Sequence, residues 1–178
     1  MWNANPARLL AVSSVPILEI PTLWEESARI HDVPIYALGD LSPQIHPSAF
    51  VHPDAVIIGD VTIGPDSSVW PTAVLRGDSN RIVVGARTSI QDGSIIHCTS
   101  HEPTIIGSGV VIGHNVHAEG CTIEDGALLG SGSVVLPRAV IGERALVAAG
   151  AVVTNDFVVP AEALARGVPA KIVEHAAP

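Results

Sequence analysis

Residues 127–153 read "ALLGSGSVVLPRAVIGERALVAAGAVV", and their period decides the fold. A small residue recurs at 127, 133, 139, 145 and 151, and an aliphatic residue follows two places later, at 129, 135, 141, 147 and 153. A step of six does not fit a helix, whose apolar stripe returns every ~3.6 residues. It fits a short strand plus a corner, and three such hexads, eighteen residues, close one triangular coil. Stacked coils then lie ~4.8 Å apart, as paired strands do. The aliphatic residues point inward as anchors and pile into columns, which demands Ile, Val or Leu of similar volume.

The same pattern extends through most of the chain. Anchors fall at 45, 51, 57, 63, 69 and 75, then 84, 90 and 96, then 106, 112 and 118, and resume at 123. The steps 75–84 and 96–106 carry three and four extra residues, and the step 118–123 is one short. A β-sandwich would instead space alternating strands ~8–12 residues apart. The sequence therefore specifies an all-β fold, a left-handed parallel β-helix of hexapeptide repeats with a short C-terminal cap.

Three regions follow: an N-terminal extension over 1–40, the β-helix over 41–156, and a cap and tail over 157–178. The extension lacks the hexad. It contains the apolar-rich "RLLAVSSVPILEIPTLWEESARI" (8–30), in which "LWEESARI" suits a short amphipathic helix and Pro16 and Pro21 break the rest.

Composition agrees with a solenoid and narrows the partners. Hydrophobic residues make up 47% of the 178 but aromatics only 3%, so small and β-branched side chains carry the core. A net charge of −9 argues against nucleic acid, because neutralising phosphates needs clustered Lys and Arg. Two cysteines are too few for a disulfide framework and fit a reducing compartment. No run reaches the ~18 apolar residues of a membrane span, and the expected location is cytoplasmic.

The segment 111–123, "VIGHNVHAEGCTI", offers His114, His117, Glu119 and Cys121 as metal donors. Coil register sorts them. His97 follows anchor 96 and Glu119 follows anchor 118, and their separation of 22 is one coil of eighteen plus the four-residue insertion. They therefore share a corner of adjacent coils. His114, five residues before Glu119, belongs near another corner, ~15 Å away at ~3.3 Å per residue. An ion held by His97 can reach only the His114 of a neighbouring copy. His117 flanks the same anchor as Glu119 and is the reserve donor. Cys98 and Cys121 read as small buried side chains.

The motifs "LRGD" (75–78), "IQDGSIIH" (90–97), "IGH" (112–114), "GCTI" (120–123) and "GVPAK" (167–171) together resemble the gamma-class carbonic anhydrases and their relatives in the hexapeptide-repeat superfamily. The resemblance spans about residues 33–173. It implies a homotrimer with Zn2+ or Fe2+ between subunits, held by His97, His114 and the residue at 119. The family places a third histidine there, and this chain has Glu119. Two histidines and a carboxylate are an acceptable donor set for either ion.

By the same resemblance, a metal-bound hydroxide would hydrate CO2 to bicarbonate, a lyase reaction. Gln91 would orient the reacting groups and Glu102, in the inserted loop, would export the proton. Arg76, Asp78 and Asp92 would order the interface. Two other activities fit the same scaffold. One is a metal-dependent hydrolase such as a thioesterase, or an inactive relative. The other is a hexapeptide acyltransferase that uses CoA.

Overall fold

A computed structural model describes residues 34–173. The extension up to residue 33, the helix expected over 23–30 and the tail beyond 173 lie outside the described residues. Among the described residues every regular element is a strand, most of them two or three residues long. The strands stack in parallel into a left-handed β-helix of triangular section.

The hexad anchors define its three faces. Val51, Val69, Ile90, Ile112, Leu129, Val147 and Ala165 form one column, on a separate eight-stranded sheet. Ile57, Leu75, Ile96, Ala118, Val135 and Val153 form the second, and Ile63, Val84, Ile106, Ile123, Ile141 and Val159 the third. The second and third faces are one twelve-stranded sheet, because Val56–Ile63 and Val74–Val84 run through the corner between them. All of these anchors are buried, and the most exposed is Val51, at 7% in the first coil.

Both insertions open at that same corner. The three-residue insertion lies inside Val74–Val84 and shifts its register against Val56–Ile63 between Gly59 and Val61. The four-residue insertion forms the loop 98–103 between the strands Ile95–His97 and Thr104–Ile106. Extra residues are tolerated there because they bulge outward and leave the columns continuous. At the C-terminal end, Lys171–Val173 turns back antiparallel on Leu164–Arg166 and covers the last coil's free edge. No helix is long and apolar enough to cross a membrane among the described residues.

Buried hydroxyls bridge successive coils at the corners. The Ser94 hydroxyl donates to the Gly113 carbonyl at 2.7 Å and accepts the Val116 N–H at 3.2 Å. Thr88 does the same between the Gly107 carbonyl and the Val110 N–H, at 2.8 and 3.2 Å. Ser133 is the exception, the one buried side-chain polar atom without a partner among the described residues. Its column otherwise carries Ala55, Ala73, Ser94, Val116 and Ala151. Ser133→Ala is therefore expected to raise stability by about 1 kcal/mol, since an unsatisfied buried hydroxyl is a net cost. Leu75→Ala, at an enclosed anchor, should lose about 2–5 kcal/mol. Denaturant melts of the two variants check both signs.

Candidate metal centre

Parallel register brings Arg76, His97 and Glu119 into line on three adjacent coils, with Arg76 paired to His97 and His97 to Glu119. Each directly follows an inward anchor, so each points out at the corner between the second and third faces. The His97 ring is held on both sides. Its Nδ1 lies 2.8 Å from Glu119 Oε1 and its Nε2 lies 2.8 Å from Asp78 Oδ1. Asp78 is in turn ion-paired with Arg76, and His117 Nε2 lies 3.6 Å from the second oxygen of Glu119. The result is a row in which nitrogen groups and carboxylates alternate, Arg76–Asp78–His97–Glu119–His117.

Asp78 reaches the ring because the three-residue insertion carries it off the regular register. Gly77 makes this possible, since a Cβ there would sit 2.4 Å from the Asp60 carbonyl oxygen of the coil below. Desolvation pushes the Asp78 carboxyl up, but the His97 hydrogen bond and the Arg76 charge outweigh it and hold the group below its ordinary value. The His97 side chain is 16% exposed and Glu119 27%, so the row is partly sheltered yet open to a partner.

Two further contacts fix this corner. Cys98 is buried, and its sulfur accepts the Asn80 N–H at 3.2 Å and donates to the Asn80 carbonyl at 3.1 Å. Gly120 has φ +56°, and a Cβ there would lie 3.1 Å from the Cβ of Glu102. Glu102 thus packs directly beside the Glu119 corner. Its backbone is pinned by Thr99, whose hydroxyl accepts the Glu102 N–H at 2.9 Å.

The remaining expected site residues occupy a different corner, between the first and second faces. There the Asn115 N–H bonds the Asp92 carbonyl, and His114 Nδ1 lies 3.1 Å from Asp92 Oδ2. Both side chains are about half exposed, at 54% and 48%. Gln91 precedes Asp92 in the same coil and is half-buried. One copy of the chain therefore holds two separate clusters, His97 with Asp78 and Glu119, and His114 with Gln91 and Asp92. Arg76 and Asp78 pair with each other within the chain, and Asp92 orients His114.

The donor chemistry at His97 fits a cation. Both ring nitrogens can donate only in the doubly protonated ring, and a metal ion can take the place of the proton between Nδ1 and Glu119. Two donors on one tetrahedral zinc ion lie about 3.3 Å apart, against 2.8 Å here. Asp78 on Nε2 then supplies the carboxylate that orients many metal-bound imidazoles. Sequence reasoning missed Asp78 as a neighbour of the ring. The donor atoms of Asp78, His97 and Cys98 also lie within 4.8 Å of one another. Cys98 is already committed to Asn80, which leaves the Glu119 side the better one.

Comparison with known proteins agrees with this architecture. Residues 42–77 and 120–155 match the family described as Bacterial transferase hexapeptide (six repeats). Carnitine operon protein CaiE of Escherichia coli (strain K12) is 44% identical over 140 residues, covering 79% of this chain and 71% of that protein. Mitochondrial gamma carbonic anhydrase 2 of Arabidopsis thaliana is 41% identical over 75% of this chain, which spans 50% of that protein. The crystal structure of a hexapeptide transferase family protein from Anaplasma phagocytophilum superposes with a TM-score of 0.77 at 39% identity. It matches over 81% of this chain and 84% of that one.

Both cysteines are free and buried, and burial pushes the Cys121 thiol up to about 12. Neither should react with an aromatic disulfide reagent at pH 8 until the protein is unfolded, when both should titrate. A fast-reacting thiol in the native protein would contradict the packing described.

Proposed function

This chain is a gamma-carbonic-anhydrase-like member of the hexapeptide-repeat family, and from that premise we propose that it forms a homotrimer and catalyses reversible CO2 hydration at metal centres between subunits. The observation that carries the reading is the split of donors over two corners of one prism. His97 and Glu119 stand on one corner and His114 on another, each imidazole steadied by a carboxylate. At the first corner Asp78 is engaged by Arg76 and Cys98 by Asn80, with His117 beside Glu119 as the reserve donor, and a neighbour's His114 would complete the set.

In this reading His97 and Glu119 of one subunit and His114 of the partner subunit hold Zn2+ or Fe2+. When bound, the ion would supply Lewis acidity that lowers the pKa of a coordinated water. Asp78 keeps the His97 ring in orientation and Arg76 keeps Asp78 in place. Gln91 comes to the interface beside His114, where its amide can orient CO2 or bicarbonate. Glu102, beside Gly120, is placed to take up a proton and pass it to solvent. Glu119 removes one unit of positive charge relative to an imidazole, so activity is expected to rise at higher pH than with histidine there.

Metal analysis with stopped-flow CO2 hydration tests the reading. The purified protein should carry about one zinc or iron per chain and hydrate CO2. Glu119→His should bind metal more tightly and move the rise in activity to lower pH. Metal without hydration would redirect the reading to another metal-dependent hydrolysis, such as thioester cleavage. A metal-free protein that binds acetyl-CoA would overturn it in favour of acyl transfer.

A further inference from the structure

We propose that Thr104 is a positioning residue whose hydroxyl sets the spacing of His97 and Glu119, an inference that rests on the reading that these two side chains hold a metal. Thr104 is fully buried at the foot of the inserted loop. Its hydroxyl donates to the His97 carbonyl and accepts the Gly120 N–H at 2.7 Å. One oxygen thus ties the backbone of one expected ligand to the residue that follows the other.

The column in which Thr104 stands shows that this hydroxyl does not serve the stack in general. It pairs with Ile82 in the coil below. Val61, Cys121 and Ala139 occupy the equivalent places in other coils, all buried. A polar side chain at this inward place therefore needs a local reason, and the insertion provides one. The loop 98–103 interrupts the ladder after the pair of His97 with Glu119, and pairing resumes only at Ile105 with Thr122. Across this gap the Gly120 N–H lies 3.4 Å from the His97 carbonyl, a long hydrogen bond. The Thr104 hydroxyl satisfies both groups at once. Without it the two coils could slide or part where the Nδ1 to Oε1 distance of 2.8 Å is set.

The test uses the full chain, with zinc affinity read by chelator competition and ligand geometry by visible absorption of the cobalt(II)-loaded protein. Thr104→Val should weaken zinc binding by about tenfold or more, the scale seen when supporting groups of metal ligands are lost, and shift the cobalt bands. Thr104→Ser should restore both. Thr88→Val deletes a hydroxyl making the same two kinds of bond at a different corner. It should lower thermal stability and leave zinc affinity and the cobalt spectrum unchanged. If Thr104→Val does not fold, Thr104→Ala, which matches Ala139 in the same column, is read in its place. A Thr104 variant with wild-type affinity and spectrum overturns the inference and leaves the metal reading standing. So does a Thr88 variant that weakens zinc binding as much. A wild-type protein that takes up no zinc removes the metal reading itself, and the inference with it.

Discussion

Three columns of inward anchors hold this molecule together, each anchor sharing one core with those above, below and across the triangle and with the buried residues two places before them. Among the described residues no second layer of structure backs the sheets, so a break in a column would leave a void along the axis. Column continuity therefore governs where the chain can vary. Both insertions bulge outward at one corner, and the strands on either side return to register within a few residues. Coupling between neighbouring coils is local, as in other solenoids. A residue's outward position follows from its distance to the nearest anchor, and its height from the coil it occupies.

That constraint builds the site. The residues after anchors Leu75, Ile96 and Ala118 are Arg76, His97 and Glu119, and stacking sets them one strand spacing apart. A carboxylate between neighbouring nitrogen groups suits this spacing, because like charges directly opposite destabilise a sheet, and Asp78 takes that place between Arg76 and His97. At the far end of the row His117 lies 3.6 Å from Glu119. The same rule operates away from the site. Arg138 meets Asp156 at 2.6 and 2.9 Å and Arg144 meets Glu162 at 2.7 Å, each pair one coil apart. Those pairs are exposed and individually contribute little. Their placement shows how the hexad turns sequence spacing into contact.

Legibility in the sequence follows the same division. The period of six revealed the fold, the two insertion points and the shared corner of His97 and Glu119, because all depend on counting between anchors. His114 was assigned to another corner by the same count, and it stands there on Asp92. What counting misses is the path of the inserted residues. Asp78 lies inside the first insertion, so nothing in its number shows that its carboxylate turns to His97 Nε2. The bond of Cys98 to Asn80 depends on the same bulge, although their separation of eighteen residues was a signal that could have been used. Thr104 was visible only as a polar residue in an apolar column. Its partners are backbone groups exposed by the second insertion, which side-chain patterns do not report.

The central claim is that a complete centre takes His97 and Glu119 from one subunit and His114 from the next. Metal uptake by mixed trimers tests this most directly. His97→Ala and His114→Ala proteins should each be nearly metal-free when purified alone. Unfolded together in equal amounts and refolded, they should recover about a quarter of the wild-type metal, the fraction of interfaces at which two intact halves meet by chance. No recovery in properly folded mixed trimers, or full metal content in the His114→Ala protein alone, would contradict a shared site.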